Sequence, residues 1–255
     1  MLKCLLFSGL LVPSLANAQR DSLQSGAYEW KVPARAGRAI NTTILFEGMV
    51  HDMQWIQMSS NRLTGVGDDS RQIVPADEEH LIIIRSGKLY ITLADSTYTL
   101  GAGSVVSIMP GESLVLQNKD GKTSEFYTMK YRSKLGVDAE RGKQAGGSRV
   151  INWDTVAYRT HDKGGRRNMF DRPTAMTRRF EMHVTTLNKG FKSHDPHTHA
   201  PEEIILVTEG TTSMQLRDTF YPGKPGTIYY AGTLVPHAIT NTGSGQCTYF
   251  AFQFE

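Results

Sequence analysis

"SHDPHTHAPEE" (193–203) runs directly into "EIILVTEGTTSMQL" (203–216), and the join between them decides the fold of this chain. The first stretch places His194, His197 and His199 within six residues and closes on Glu202 and Glu203. The second is β-rich and broken by a turn at Gly210, the pattern of a hairpin. His197 and His199 are two residues apart, and alternate residues of a strand share a face, so both imidazoles can point inward together. A metal needs more ligands than one loop usually supplies. A further one lies in "GTIYYAGTLVPHAITN" (226–241), which carries His237. Three imidazoles with the carboxylate of Glu203 suit a borderline divalent metal. Without His237, a solvated histidine-rich loop would be the better reading.

The first half of the chain repeats this plan. Trp30, Phe46, Gly65, Gly87, Gly103 and Asn118 are separated by 16, 19, 22, 16 and 15 residues. Trp153, Phe170, Gly190, Gly210, Gly226 and Asn241 follow in the same order, at 17, 20, 20, 16 and 15. Six ordered landmarks point to two homologous domains. "HLIIIRSGKLYITL" (80–93) matches the hairpin of the second half, and "FYTMKY" (126–131) and "CTYFAFQF" (247–254) are further strands. No segment has the long 3.6-residue period of a substantial helix. The expected class is all-β, a sandwich or barrel in each half. Between them "SKLGVDAERGKQAGGS" (133–148) is polar and glycine-rich and reads as a connector with at most a helical turn. The expected division is 19–132, a linker at 133–149, and 150–255.

At this point the chain resembles the cupin superfamily, and specifically a two-domain bicupin. The superfamily's first motif runs Gly, about five residues, His-x-His, about three or four, Glu, about six, Gly. Gly190, His197, His199, Glu203 and Gly210 match it, with six residues after the first glycine. Gly226, His237 and Asn241 match the second motif, but Gly232 replaces its proline and Leu234 its second glycine. Those losses bear on a turn and not on ligation. The resemblance implies two tandem jelly-roll barrels packed as a pseudo-dimer, and one divalent metal in the second barrel. Aligned on the glycines, the first half offers Val74, Ala76 and His80 for His197, His199 and Glu203, and Leu114 for His237. One histidine cannot hold a metal usefully, so the first barrel is expected to be degenerate.

The resemblance also implies an octahedral ion with four protein ligands and two adjacent open positions. Such a set favours manganese or iron, with zinc or nickel as alternatives. Two open positions suit chelation of a small oxygen-rich molecule, a carbohydrate or organic acid. Three functions follow: Lewis-acid isomerase or lyase chemistry, a dioxygenase, or a non-catalytic binding module that uses the metal as an anchor. The Lewis-acid route needs an acid or base beside the ion. Tyr229, Tyr230 and His194 are the candidates, with Arg178 or Arg179 for a substrate carboxylate. Phe191 and Tyr249 are placed at a barrel mouth or in the core, and His51, His161 and His183 as surface or structural residues.

The N-terminus, "MLKCLLFSGLLVPSLANA" (1–18), reads as a secretory signal ending in Ala16-Asn17-Ala18, which predicts a periplasmic or secreted protein. Its apolar run is too short for a comfortable membrane span. Cleavage leaves 237 residues (255 minus 18), the single cysteine Cys247, and a formal charge of +2 once Lys3 is removed from the total of +3. No intramolecular disulfide is then possible. The basic pairs Arg166-Arg167 and Arg178-Arg179 lack interleaved aromatics, which argues against nucleic acid as a partner. A homodimer is compatible with the barrel architecture.

Overall fold

The computed structural model describes residues 22–34, 39–65 and 70–255; the predicted signal segment lies outside them. The fold is all-β. Among the described residues the helices are Ala139–Gln144, in the expected connector, and the short 3-10 turn Trp153–Thr155. No helix among the described residues is long and apolar enough to cross a membrane.

Each half has a large and a small antiparallel sheet. In the second half, Phe180–Leu187, Cys247–Phe254, Glu202–Glu209 and Thr227–Ala231 lie side by side in the large sheet. The small sheet holds Thr219–Gly223, Thr212–Leu216 and His237–Asn241. Strand alternation sorts the side chains. Leu187, Ile205, Val207, Tyr229 and Tyr249 fill the barrel of the second half. Phe180, Met182, Leu206, Phe250 and Phe252 point the other way, against Ile56, Met58, Met129 and Tyr131 of the first half. A sheet buried on both faces requires near-continuous apolar runs, which is why "EIILV" and "YFAF" do not alternate with polar residues. Ile82, Ile84, Leu89, Ile91, Leu114 and Leu116 form the core of the first barrel. The pseudo-dimer is therefore held by a core of its own, with the Phe180 ring 5.2 Å from Phe170 and 5.9 Å from Tyr131.

The halves also exchange edge strands. Gly26–Glu29, expected in the first domain, pairs with Thr227–Ala231 of the second. Arg149–Ile151, at the start of the second, pairs with Val105–Ile108 of the first. Each exchanged strand delivers a tryptophan onto a glycine of the opposite barrel. A Cβ on Gly226 would lie 2.8 Å from Trp30 Cβ, and one on Gly103 would lie 2.6 Å from the Trp153 ring. The Trp and Gly landmarks of the repeat are thus the two halves of one reciprocal contact.

In the first barrel His80 occupies the strand position of Glu203 and is hydrogen-bonded to Glu78 at 3.0 Å. Val74 and Leu114 are buried in its apolar core, while Ala76 is exposed.

Candidate metal centre

Three segments converge at one end of the second barrel. His197 and His237 face each other across an isolated antiparallel bridge, their backbones exchanging hydrogen bonds of 3.3 and 3.1 Å. His199 follows on the same loop, and its carbonyl accepts from Leu234 N at 3.0 Å. Glu203 is the second residue of the strand that begins at Glu202. One ring nitrogen from each of His197, His199 and His237 lies within 4.8 Å of the others, a spacing that can hold a metal ion.

The tautomers are fixed from behind. His199 Nδ1 is 2.7 Å from Pro201 O, and His237 Nδ1 is 2.8 Å from Val235 O. A carbonyl can only accept, so each Nδ1 carries the proton and each Nε2 presents its lone pair forward, the usual preparation of a histidine ligand. Glu203 Oε2 is 2.8 Å from His237 Nε2 and 3.7 Å from His199 Nε2. His237 Nε2 is nonetheless buried without a hydrogen bond of acceptable geometry. An orphaned, forward-facing imidazole nitrogen beside a buried carboxylate is what an absent cation would satisfy, so the donor set fits a divalent metal. Burial favours the neutral form of Glu203, but His199 and His237 outweigh it and hold the carboxyl well below its usual range. Burial, then repulsion from His194, His237 and His199, lowers the His197 pKa. The Glu203 contact raises that of His199.

A cavity of about 480 Å³ opens beside this cluster. His194 reaches it, its ring 4.0 Å from that of His197. Tyr249 lines it too, and burial raises its phenol, which stays a donor at neutral pH. Phe191 is 41% exposed and does not line the cavity.

Two pairs expected at the site do not reach it. Tyr229 faces into the barrel, but its hydroxyl is engaged with Thr212 Oγ1 at 2.9 Å and Tyr221 O at 3.2 Å, away from the cavity. Tyr230 takes the opposite parity, enters the core between the halves and donates to Glu202. Arg178 and Arg179 line a different cavity with His51 and Glu255, and Arg179 is held by Asp171 through two bonds of 2.8 Å.

His183, read from the sequence as surface or structural, lines the metal cavity from the strand Phe180–Leu187. Its Nδ1 is 2.8 Å from Glu181 Oε1, which also accepts from Arg166 Nη2 at 2.8 Å. Arg166 and Lys163 lie on the same wall. The available signal was Glu-Met-His at 181–183, since two residues apart on a strand means one face. Its position in a strand pairing with "CTYFAFQF" would have turned that face inward.

Residues 183–252 match the family model of the cupin domain. No curated protein matches the chain in sequence. Solved structures share the whole fold at low identity. The Ylba protein of E. coli has a TM-score of 0.67 at 16% identity, covering 94% of this chain and 95% of its own. AerE from Microcystis aeruginosa has 0.66 at 12%, covering 89% and 98%. The Lactobacillus farciminis oxalate decarboxylase, solved as a formate complex, has 0.67 at 10%, covering 92% and 87%. Residues 183–252 therefore carry the match to the cupin domain, and the chain as a whole shares the fold of these solved structures, two jelly-roll barrels packed as a pseudo-dimer.

Proposed function

We propose that the protein is an exported, metal-dependent enzyme that moves a proton on a small organic acid or sugar acid, chemistry of the isomerase or lyase type. The observation that carries this reading is His183, tied to Glu181 and lining the same cavity as His197 and Glu203. A divalent ion, manganese or iron by the four-ligand set, would be held by His197, His199, Glu203 and His237 and would polarise a carboxylate or carbonyl oxygen. Arg166 and Lys163 supply the positive wall that anchors the far carboxylate of the substrate. His183 has Nδ1 tied to Glu181, which leaves Nε2 to take or return a proton at the substrate carbon or hydroxyl. Tyr249 can donate to developing charge on oxygen. The oxalate decarboxylase relative, with formate bound, supports a small acid as the ligand class.

Elemental analysis of protein exported to a periplasm tests the first step: about one manganese or iron per chain is expected, and none in His237→Ala. His183→Gln should keep its metal and lose about 100-fold or more in turnover of whichever hydroxy or keto acid a screen identifies. Absence of metal in the correctly folded parent sinks the enzyme reading. Metal with no turnover, and a tightly held acid recovered unchanged, would mark a binding module.

A further inference from the structure

We propose that the cleft between the two barrels is a second ligand site, independent of the metal, that takes a flat apolar anion such as an aromatic carboxylate or sulfonate. The cleft has a volume of about 820 Å³, within the range of small-molecule pockets. Ile83 of the first half and Leu206 and Phe250 of the second, each at most 2% exposed, form its buried apolar base, and the exposed Ala102 and Pro225 add an apolar wall. On the other side the Arg167 guanidinium is stacked between two rings, 4.6 Å from the centre of Trp153 and 5.2 Å from that of Tyr158. This stack is built into the backbone. A Cβ on Gly103 would lie 2.6 Å from the Trp153 ring, and one on Gly165 would lie 2.2 Å from Tyr158, so glycine is what leaves both rings their place.

The charge is also specific. Arg167 Nη1 donates to Val156 O, and among the described residues Arg167 has no carboxylate partner. The other lining arginine, Arg85, is already paired with Glu125 at 2.6 Å. Glu209, the one acid lining the cleft among the described residues, accepts from Thr248 at 3.4 Å. A rigid, weakly hydrated cation held between two aromatic faces and left without an anion is suited to a planar carboxylate or sulfonate whose ring lies on the apolar wall. Strand parity separates this site from the metal: Arg166 and Thr185 face the metal cavity, and their neighbours Arg167 and Thr186 face the cleft.

The test is fluorescence titration of the full chain with 8-anilinonaphthalene-1-sulfonate, beside the uncharged N-phenyl-1-naphthylamine. One anionic probe per chain is expected, with the neutral dye weaker by about tenfold, the worth of one charge-assisted hydrogen bond. Arg167→Met, which keeps the apolar stem, should weaken the anion by a similar factor, and Thr208→Trp, which fills the cleft, should abolish binding. His237→Ala should bind normally. Equal affinity for the neutral dye, unchanged binding in either cleft variant, or loss in His237→Ala would each overturn the proposal. A sedimentation dimer that excludes the probe would overturn it in favour of a second copy of the chain.

Discussion

Leu234 has a backbone φ of 57°, in the left-handed region that L side chains avoid, and its side chain is 63% exposed. The turn holds because Leu234 N donates to His199 O, locking the hairpin of His237 onto the loop of His197 and His199. The first half keeps glycine at the matching position, Gly111, with φ 79°. A left-handed non-glycine residue costs about 1–2 kcal/mol, and glycine returns about 0.4–1 of that through chain entropy. Leu234→Gly should therefore stabilise by about 0.5–1 kcal/mol and raise the melting temperature by about 1–4 °C, with metal content unchanged. A lower melting temperature would mean that Leu234 makes contacts at the site mouth worth more than the strain. The histidine cluster was legible in the sequence because a site able to hold a metal constrains the spacing of its donors whatever surrounds them. His183 was not, since its meaning depends on which face of its strand looks inward, and that is set by the strands beside it. The same ambiguity made Tyr229 and Tyr230 equivalent on paper, whereas the sheet sends one into the barrel, its hydroxyl on Thr212 and Tyr221, and the other to the opposite core.

At the level of elements, the exchanged strands explain why tryptophan and glycine recur at matched spacings. Trp30 follows Gly26–Glu29, which is hydrogen-bonded to Thr227–Ala231, and its backbone N donates to Gly226 O at 2.9 Å. Gly226 has a φ of 103° and no room for a Cβ against Trp30. Gly226→Ala should destabilise by about 1–3 kcal/mol through strain and overpacking. Adding Trp30→Gly takes away the Cβ that the new methyl group would meet and so removes the steric part. Denaturant melts of the double variant should then show less than the sum of the single losses. Strict additivity would show that the glycine is needed only for its dihedral angle and that the landmark pair is not a contact. The sequence carried the repeat of these landmarks, but not that the tryptophan of each half meets the glycine of the other. Local patterns record that a strand is apolar and short; they do not record which sheet edge it meets.

On the scale of the molecule, the two barrels are joined by a reciprocal pair of buried carboxylates. Glu79 of the first half accepts from Ala175 N at 3.0 Å and Thr174 Oγ1 at 2.6 Å in the second. Glu202 of the second accepts from His51 N at 2.8 Å and Asp52 N at 3.2 Å in the first. Neither role was legible in the sequence, because the backbone groups that the two carboxylates satisfy lie 96 residues from Glu79 and 150 and 151 from Glu202. Their energetics differ from those of a surface pair. Burial raises the Glu79 pKa above its ordinary value, and the bonds from Thr174 and Ala175 with the field of Arg172 only partly offset it. A carboxyl raised in the folded state binds more protons folded than unfolded, so its contribution is present below the ordinary glutamate value and is lost as pH rises through the raised one. Glu79→Gln removes that titration while keeping an acceptor for Ala175 N. The difference in unfolding midpoint, variant minus parent, should therefore grow more positive as pH is raised from about 4.3, the unperturbed glutamate value, towards 8. Any fixed loss of hydrogen bonding to Thr174 shifts the whole curve and leaves this slope intact. A flat or falling difference would mean that Glu79 is ionised throughout, and that the joint between the barrels is held by its charge and not in spite of it.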